Sequence, residues 1–92
     1  MQFVGPLDRG HLPMTGMYEG RLEVDYDTIR IGGPMSGVSG DRGTIEAIEV
    51  DEWGRRIRLL LHGGKESSWF GGGRVPDAID AIRRYGWPVR QP

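Results

Sequence analysis

The sequence predicts a mainly β domain: a small five-stranded antiparallel barrel that ends in one short helix. Three observations lead there. Several short stretches alternate polar and apolar residues with the period of a strand, and turn signals separate them at intervals of roughly 8–12 residues. Gly (16) and Pro (6) are abundant among the 92 residues, which leaves little chain for long helices. Only one stretch, close to the C-terminus, carries apolar residues at a spacing of about 3–4 between helix start and stop signals. Closure into a barrel is favoured over an open sheet because it removes exposed edge strands.

Each element can be justified in order. Gly5-Pro6, Gly10 and Leu12-Pro13 punctuate residues 1–16, which show no period, so a flexible N-terminal arm is expected there and the barrel domain over 17–92. Arg21 to Asp25 alternates and reads as a half-buried strand; Asp25-Tyr26-Asp27 turns the chain, and Thr28 to Ile31 alternates again. Gly32 to Arg42, rich in Gly and Ser, reads as a loop. Gly43 to Val50 is the strongest strand. Its alternation slips, Ile45 and Ala47 belonging to one face and Ile48 and Val50 to the other, so a bulge is expected near Ala47-Ile48. A hairpin connection over Asp51-Glu52-Trp53-Gly54-Arg55 leads to a return strand, Arg56 to His62, with Ile57, Leu59 and Leu61 facing in. Gly63-Gly64-Lys65 turns into a last short strand, Glu66 to Phe70. Gly71-Gly72-Gly73 ends the sheet, and Pro76-Asp77 opens the helix, Asp77 being suited to cap it or to favour its positive end. Ala78, Ile79, Ile82 and Tyr85 form its apolar stripe; Arg83 and Arg84 suit its last turn, Gly86 fits the position after the cap, and Pro88 forbids continuation.

Composition bounds the function. One domain is expected at this length, with a small core. Cysteine is absent, which excludes disulfides, thiolate zinc sites and thiol catalysis. No apolar run has the length of a membrane span, and no basic stretch followed by an apolar run opens the chain, so a cytoplasmic protein with no membrane partner is expected. The net charge of −1 conceals an asymmetry: residues 1–52 carry −6 and residues 53–92 carry +5.

The stretch from Ile29 to Leu61 resembles the KOW motif of NusG-type transcription factors and certain ribosomal proteins. Gly33-Pro34 takes the place of the motif's Gly-Pro loop. Gly43 takes that of its glycine, followed by Thr44-Ile45-Glu46 and Ile48, and Arg56 to Leu61 takes the return strand. The match covers about a third of the chain. It departs from the pattern in extra residues between Gly37 and Gly43 and in Met35, which stands where an aromatic is usual. The resemblance implies an SH3-like barrel that contacts RNA or a protein of the transcription or translation machinery, without catalysis.

The candidate binding residues are Trp53, Arg55, Arg56, Arg58, Lys65, Trp69 and Arg74. Cations neutralise phosphates and indole faces stack bases, so Arg and Trp interleaved on neighbouring loops suit RNA. A structural reading stands beside this one: Trp69-Phe70 as core, and Arg56 and Arg58 paired with Glu46 and Glu49 across the hairpin. Gly71, Gly72, Gly73 and Arg74 before a helix could form a phosphate nest, without the Lys-Ser/Thr of a P-loop. Enzyme constellations are poor: His11 and His62 are the only histidines, no acid is placed to orient His62 toward Ser67-Ser68, and no spacing suggests a metal. Asp25 and Asp27 read as turn residues.

The expectation is therefore a non-catalytic binding module, with no cofactor, that contacts RNA or a transcription or translation protein through its Arg- and Trp-bearing loops. Two alternatives accompany it: a phage-type binder that sequesters a small nucleotide or cyclic nucleotide at the Gly-rich loop, and a structural or assembly protein that forms a homo-oligomer.

Overall fold

The computed structural model describes residues 1–8 and 17–92, with Met17 and Tyr18 placed by their backbone alone. The elements are β1 (Gln2–Asp8), β2 (Met17–Val24), β3 (Thr28–Gly32), β4 (Gly37–Asp41), β5 (Ile45–Val50), β6 (Ile57–Leu61), β7 (Trp69–Phe70), α1 (Val75–Arg84) and β8 (Val89–Arg90). The described residues are mainly β, with one short helix. The strands form one eight-stranded sheet in the order β4-β3-β2-β1-β7-β6-β5-β8. Eight strands replace the five expected, and the sheet is not wholly antiparallel: β8 runs parallel to β5, Ile48 opposite Val89 and Glu49 opposite Arg90.

Three of the differences have identifiable causes. Residues 2–8, expected to be part of an irregular arm, are β1, which pairs with β2 from Gln2↔Glu23 to Asp8↔Met17. Met1 and Val24 exchange both backbone bonds, at 2.8 and 2.9 Å, which places Pro6 at a position with no ladder bond to β2. Pairing of β1 with β7 begins only at Leu7, so Pro6 is never asked for an N–H, and its carbonyl accepts from Gly71 at 2.9 Å. The rest of the expected arm, residues 9–16 with His11, lies outside the described residues. Gly37–Asp41, expected to be loop, is β4. Its glycines carry no strand propensity, but its partner β3 supplies the ladder. Trp87-Pro88 redirects the chain after α1 so that Pro88 O accepts from Ile48 N at 2.8 Å, and β8 follows.

Other elements lie close to expectation. A register irregularity falls between Ile45 and Ala47, one position earlier than the slip in the sequence, and it lets Ile45, Ala47, Ile48 and Val50 all be buried. In α1, Pro76 occupies the first turn. Arg74 is the N-cap and makes no side-chain cap bond. Asp77 therefore does not cap; it sits within the first turn and pairs with Arg74 at 3.2 Å. Gly86 has φ +78° and ends the helix as expected.

The core joins both ends of the chain. Phe3, Leu7, Leu22, Ile29, Ile31, Ile48, Ile57, Leu59 and Phe70 are buried between the strands, and α1 inserts Val75, Ala78, Ala81 and Ile82 among them. Where Gly5 opposes Gly20, the Leu7 side chain fills the space a side chain at position 20 would need: a Cβ on Gly20 would stand 2.1 Å from Leu7 Cγ. Every buried side-chain polar atom among the described residues has a hydrogen-bond partner. No helix among them is long and apolar enough to cross a membrane.

Candidate functional site

The β5–β6 hairpin is built around one carboxylate. Asp51, 8% exposed, accepts from Arg55 N at 2.7 Å and Arg56 N at 3.2 Å through Oδ1, and from Arg56 Nε at 3.1 Å through Oδ2. Its carbonyl receives Gly54 N at 3.0 Å, and Gly54 turns with φ +70°. Burial works against ionisation of Asp51, but the N–H of Arg55 and then the side chain and N–H of Arg56 outweigh it. The carboxyl is held below the usual carboxylate range. This internal bracket presents Trp53 at the hairpin tip, 68% exposed.

Outside the sheet, the side chains of Arg56 and Arg58 both reach the Trp69 ring. Ile57 opposes Phe70 across β6 and β7, and both point inward, so alternation turns their neighbours outward. The guanidinium carbons of Arg56 and Arg58 lie 4.8 and 4.4 Å from the Trp69 ring centroid. Both cations are also held by acids. Arg56 pairs with Asp8 at 3.3 Å and Asp51 at 3.1 Å; Arg58 pairs with Glu49 at 2.8 Å and Glu66 at 3.2 Å.

Trp53, Trp69, Arg56 and Arg58 line one groove of about 420 Å³ whose far wall is the C-terminal tail, Arg90 to Pro92. Gln91 Nε2 ties that wall to the hairpin by donating to Asp51 O at 3.2 Å, and Arg90 pairs with Glu46 at 3.5 Å. Sequence reasoning missed this wall. The available signal was Gly86 followed by Pro88, which ends the helix and also aims the tail back at β5.

The remaining predicted residues lie elsewhere. Arg55 is exposed and does not line the groove; Lys65 is exposed in the turn after β6. Arg74 stands at the N-terminus of α1 with its guanidinium carbon 5.2 Å from the Phe3 ring centroid and its charge shared with Asp77. The Gly-rich loop makes an incomplete nest: Gly71 N is committed to Pro6 O at 2.9 Å, and Gly72 adopts φ +93°. Ser67 is 8% exposed and structural. Its hydroxyl accepts from Leu59 N at 2.9 Å and donates to Ser68 O at 2.8 Å, while His62 is exposed and stands 3.6 Å from Glu46. Asp25 accepts from Asp27 N at 2.8 Å and Thr28 N at 2.9 Å, a turn role, and those two bonds, that from Thr28 first, lower its pKa. Among the described residues no cluster of His, Asp and Glu could hold a metal ion. A second concavity, of about 390 Å³ and bordered by Val4, Arg21 and Pro34, contains none of the predicted binding residues, and a smaller one of about 230 Å³ takes in Arg74 beside Phe3 and Asp77.

Gly43 is not required by the backbone. It lies in a turn closed by Asp41, whose Oδ1 accepts from Gly43 N at 2.9 Å, and a Cβ there would meet only that oxygen, at an ordinary 3.5 Å. Neither a protein-family model nor a curated protein matches the chain.

Proposed function

We propose that the protein is a non-catalytic binding module that docks a protein segment in the groove between Trp53, Trp69 and the C-terminal tail. The observation that carries this reading is an exposed indole, 68% accessible, on a hairpin whose tip is held rigid from within by Asp51. Indoles supply large contact area at low entropic cost and anchor protein interfaces. A protein is favoured over RNA by the state of the arginines: Arg56, Arg58 and Arg90 each have carboxylate partners, so phosphates would have to displace acids already in place. The resemblance to KOW-type domains adds a partner class, a protein of the transcription or translation machinery.

The same reading treats the sheet as an SH3-like barrel. Coiling supports it: β2, β1 and β7 separate β3 from β6 in the sheet order, yet Ile29 and Ile31 share one buried core with Ile57 and Leu59, and in the short turn from β4 to β5 a Cβ on Gly40 would stand 2.8 Å from Ile45 Cδ1.

Selection of displayed peptides on the wild-type protein, followed by titration against Trp53→Ala and against a single-stranded RNA, tests the reading. Selected peptides should lose binding to Trp53→Ala while its thermal midpoint stays unchanged. Peptides that bind both proteins equally would place docking elsewhere. Failure to select any peptide, together with RNA binding that weakens steeply with salt, would return the assignment to RNA.

A further inference from the structure

The chain treats its other two tryptophans alike. Trp87 carries the Arg42 guanidinium 4.1 Å from its ring centroid, and Trp69 carries Arg56 and Arg58 at 4.8 and 4.4 Å. Trp53 is the exception: among the described residues no cation covers it, and the residue is 68% exposed. Glu52, beside it on the same groove, likewise has no ion-pair partner among the described residues. An indole face next to a carboxylate is a cation site in chemical terms: the ring quadrupole and the full negative charge attract the same group.

The charge around the groove agrees. Its arginines Arg56, Arg58 and Arg90 are engaged by Asp8, Asp51, Glu49, Glu66 and Glu46, and Glu52 adds a further carboxylate. Within the lining, Glu49, Asp51 and Glu52 equal Arg56, Arg58 and Arg90 in number, and Arg55 lies outside it. Glu52 is the one charged side chain of the lining with no ion-pair partner among the described residues, so the surface beside Trp53 complements a cation. The far wall supplies a precedent. There an extended stretch of the chain itself, Arg90 to Pro92, lies along the groove with its arginine on Glu46.

We propose that Trp53 and Glu52 receive a lysine or arginine of an extended protein segment, the guanidinium or ammonium stacking on the indole and pairing with the carboxylate. This rests on the docking function argued above and names the chemistry of its partner.

The test uses synthetic peptides of about ten residues on a Gly-Ser-Pro frame. One carries two arginines, and a twin carries citrulline in their place, which keeps the shape and removes the charge. The readout is the indole N–H resonance of Trp53, identified as the signal that disappears in Trp53→Phe. The arginine peptide should shift that resonance and bind about tenfold more tightly than its twin. Glu52→Gln should weaken the arginine peptide about fivefold and leave the citrulline peptide unaffected. Equal affinity of the twins, or no effect of Glu52→Gln, would overturn the cation site while leaving the docking groove in place, provided both peptides still shift Trp53. If neither peptide moves the resonance at about 1 mM, the cation site and the docking groove fall together.

Discussion

Arg42 lies over Trp87, its guanidinium carbon 4.1 Å from the ring centroid, and from there it closes one end of the molecule. Its Nε donates to Tyr26 O at 2.6 Å in the β2–β3 turn, Nη1 donates to Gly86 O at 3.0 Å, and Nη2 donates to Tyr85 O. Trp87 returns the bond by donating Nε1 to Asp25 O at 2.8 Å. The residue between β4 and β5 thus fastens the C-terminal turn of α1 to the far hairpin, using carbonyls that a helix end leaves without partners.

Replacing Arg42 should therefore loosen the helix rather than the groove. Arg42→Met removes three hydrogen bonds and the ring contact, and a loss of about 1–2 kcal/mol is expected. Arg42→Lys should recover little of it, because one ammonium has no planar fork to reach the carbonyls of the β2–β3 turn and of the helix end at once. Thermal unfolding checks this; a midpoint unchanged in Arg42→Met would deny the clasp.

Glycine separates a required position from a dispensable one. Gly20→Ala drives a methyl to 2.1 Å from Leu7 Cγ in the buried corner of β1 and β2, and should cost about 3 kcal/mol or more. Gly43→Ala meets only Asp41 Oδ1 at 3.5 Å, without positive φ, and should stay within about 0.5 kcal/mol of wild type. Urea titrations of both variants decide the matter, and a large loss at Gly43 would mean that the glycine of the KOW-type pattern has a structural duty this geometry does not contain.

These residues also mark what could be read from the sequence. The β5–β6 hairpin and α1 were legible because alternation, a bulge at the slip and a helix bounded by Pro76 and Gly86 are local signals. β1 was not, because Pro6 argues against a strand until it is known that its position needs no N–H. That depends on pairing with β2 and β7, far away in sequence. β4 was hidden in the same way by its glycines. In the groove, Trp53, Arg56, Arg58 and Trp69 were legible as a set because one hairpin and its neighbour carry them. The tail wall and the Asp8 partner come from the two ends of the chain, and only tertiary structure brings them together.

Asp51 gives the hairpin a pH dependence with a definite sign. Its native pKa lies below the unfolded value of about 3.9, so its ionised form stabilises the fold fully at neutral pH, and that contribution fades as pH falls through the native value. Asp51→Asn keeps an oxygen for the Arg55 and Arg56 N–H groups but loses the charge that pairs with Arg56. It should be about 1–2 kcal/mol less stable at pH 7, with the gap to wild type narrowing below about pH 4. A gap that stays constant on acidification would show that the charge contributes nothing beyond the shape of the side chain.

The two groove tryptophans should differ in what they do for the fold. Trp53 is 68% exposed and has no cation on its ring among the described residues, so Trp53→Ala should leave the unfolding midpoint within the range of ordinary surface substitutions, about 0.5 kcal/mol. Trp69 is half-buried with two arginines on its ring, and Trp69→Ala removes both ring contacts while leaving the two cations to their acids. A loss of about 1–2 kcal/mol is expected, part cation–π and part buried area. The pair of measurements separates anchor from scaffold: an indole kept exposed at little cost to stability is free to contribute to binding, and one that carries two guanidinium groups holds the groove's lining in place. Trp53→Ala as destabilising as Trp69→Ala would make the hairpin tip part of the packing and remove the ground for a docking site there.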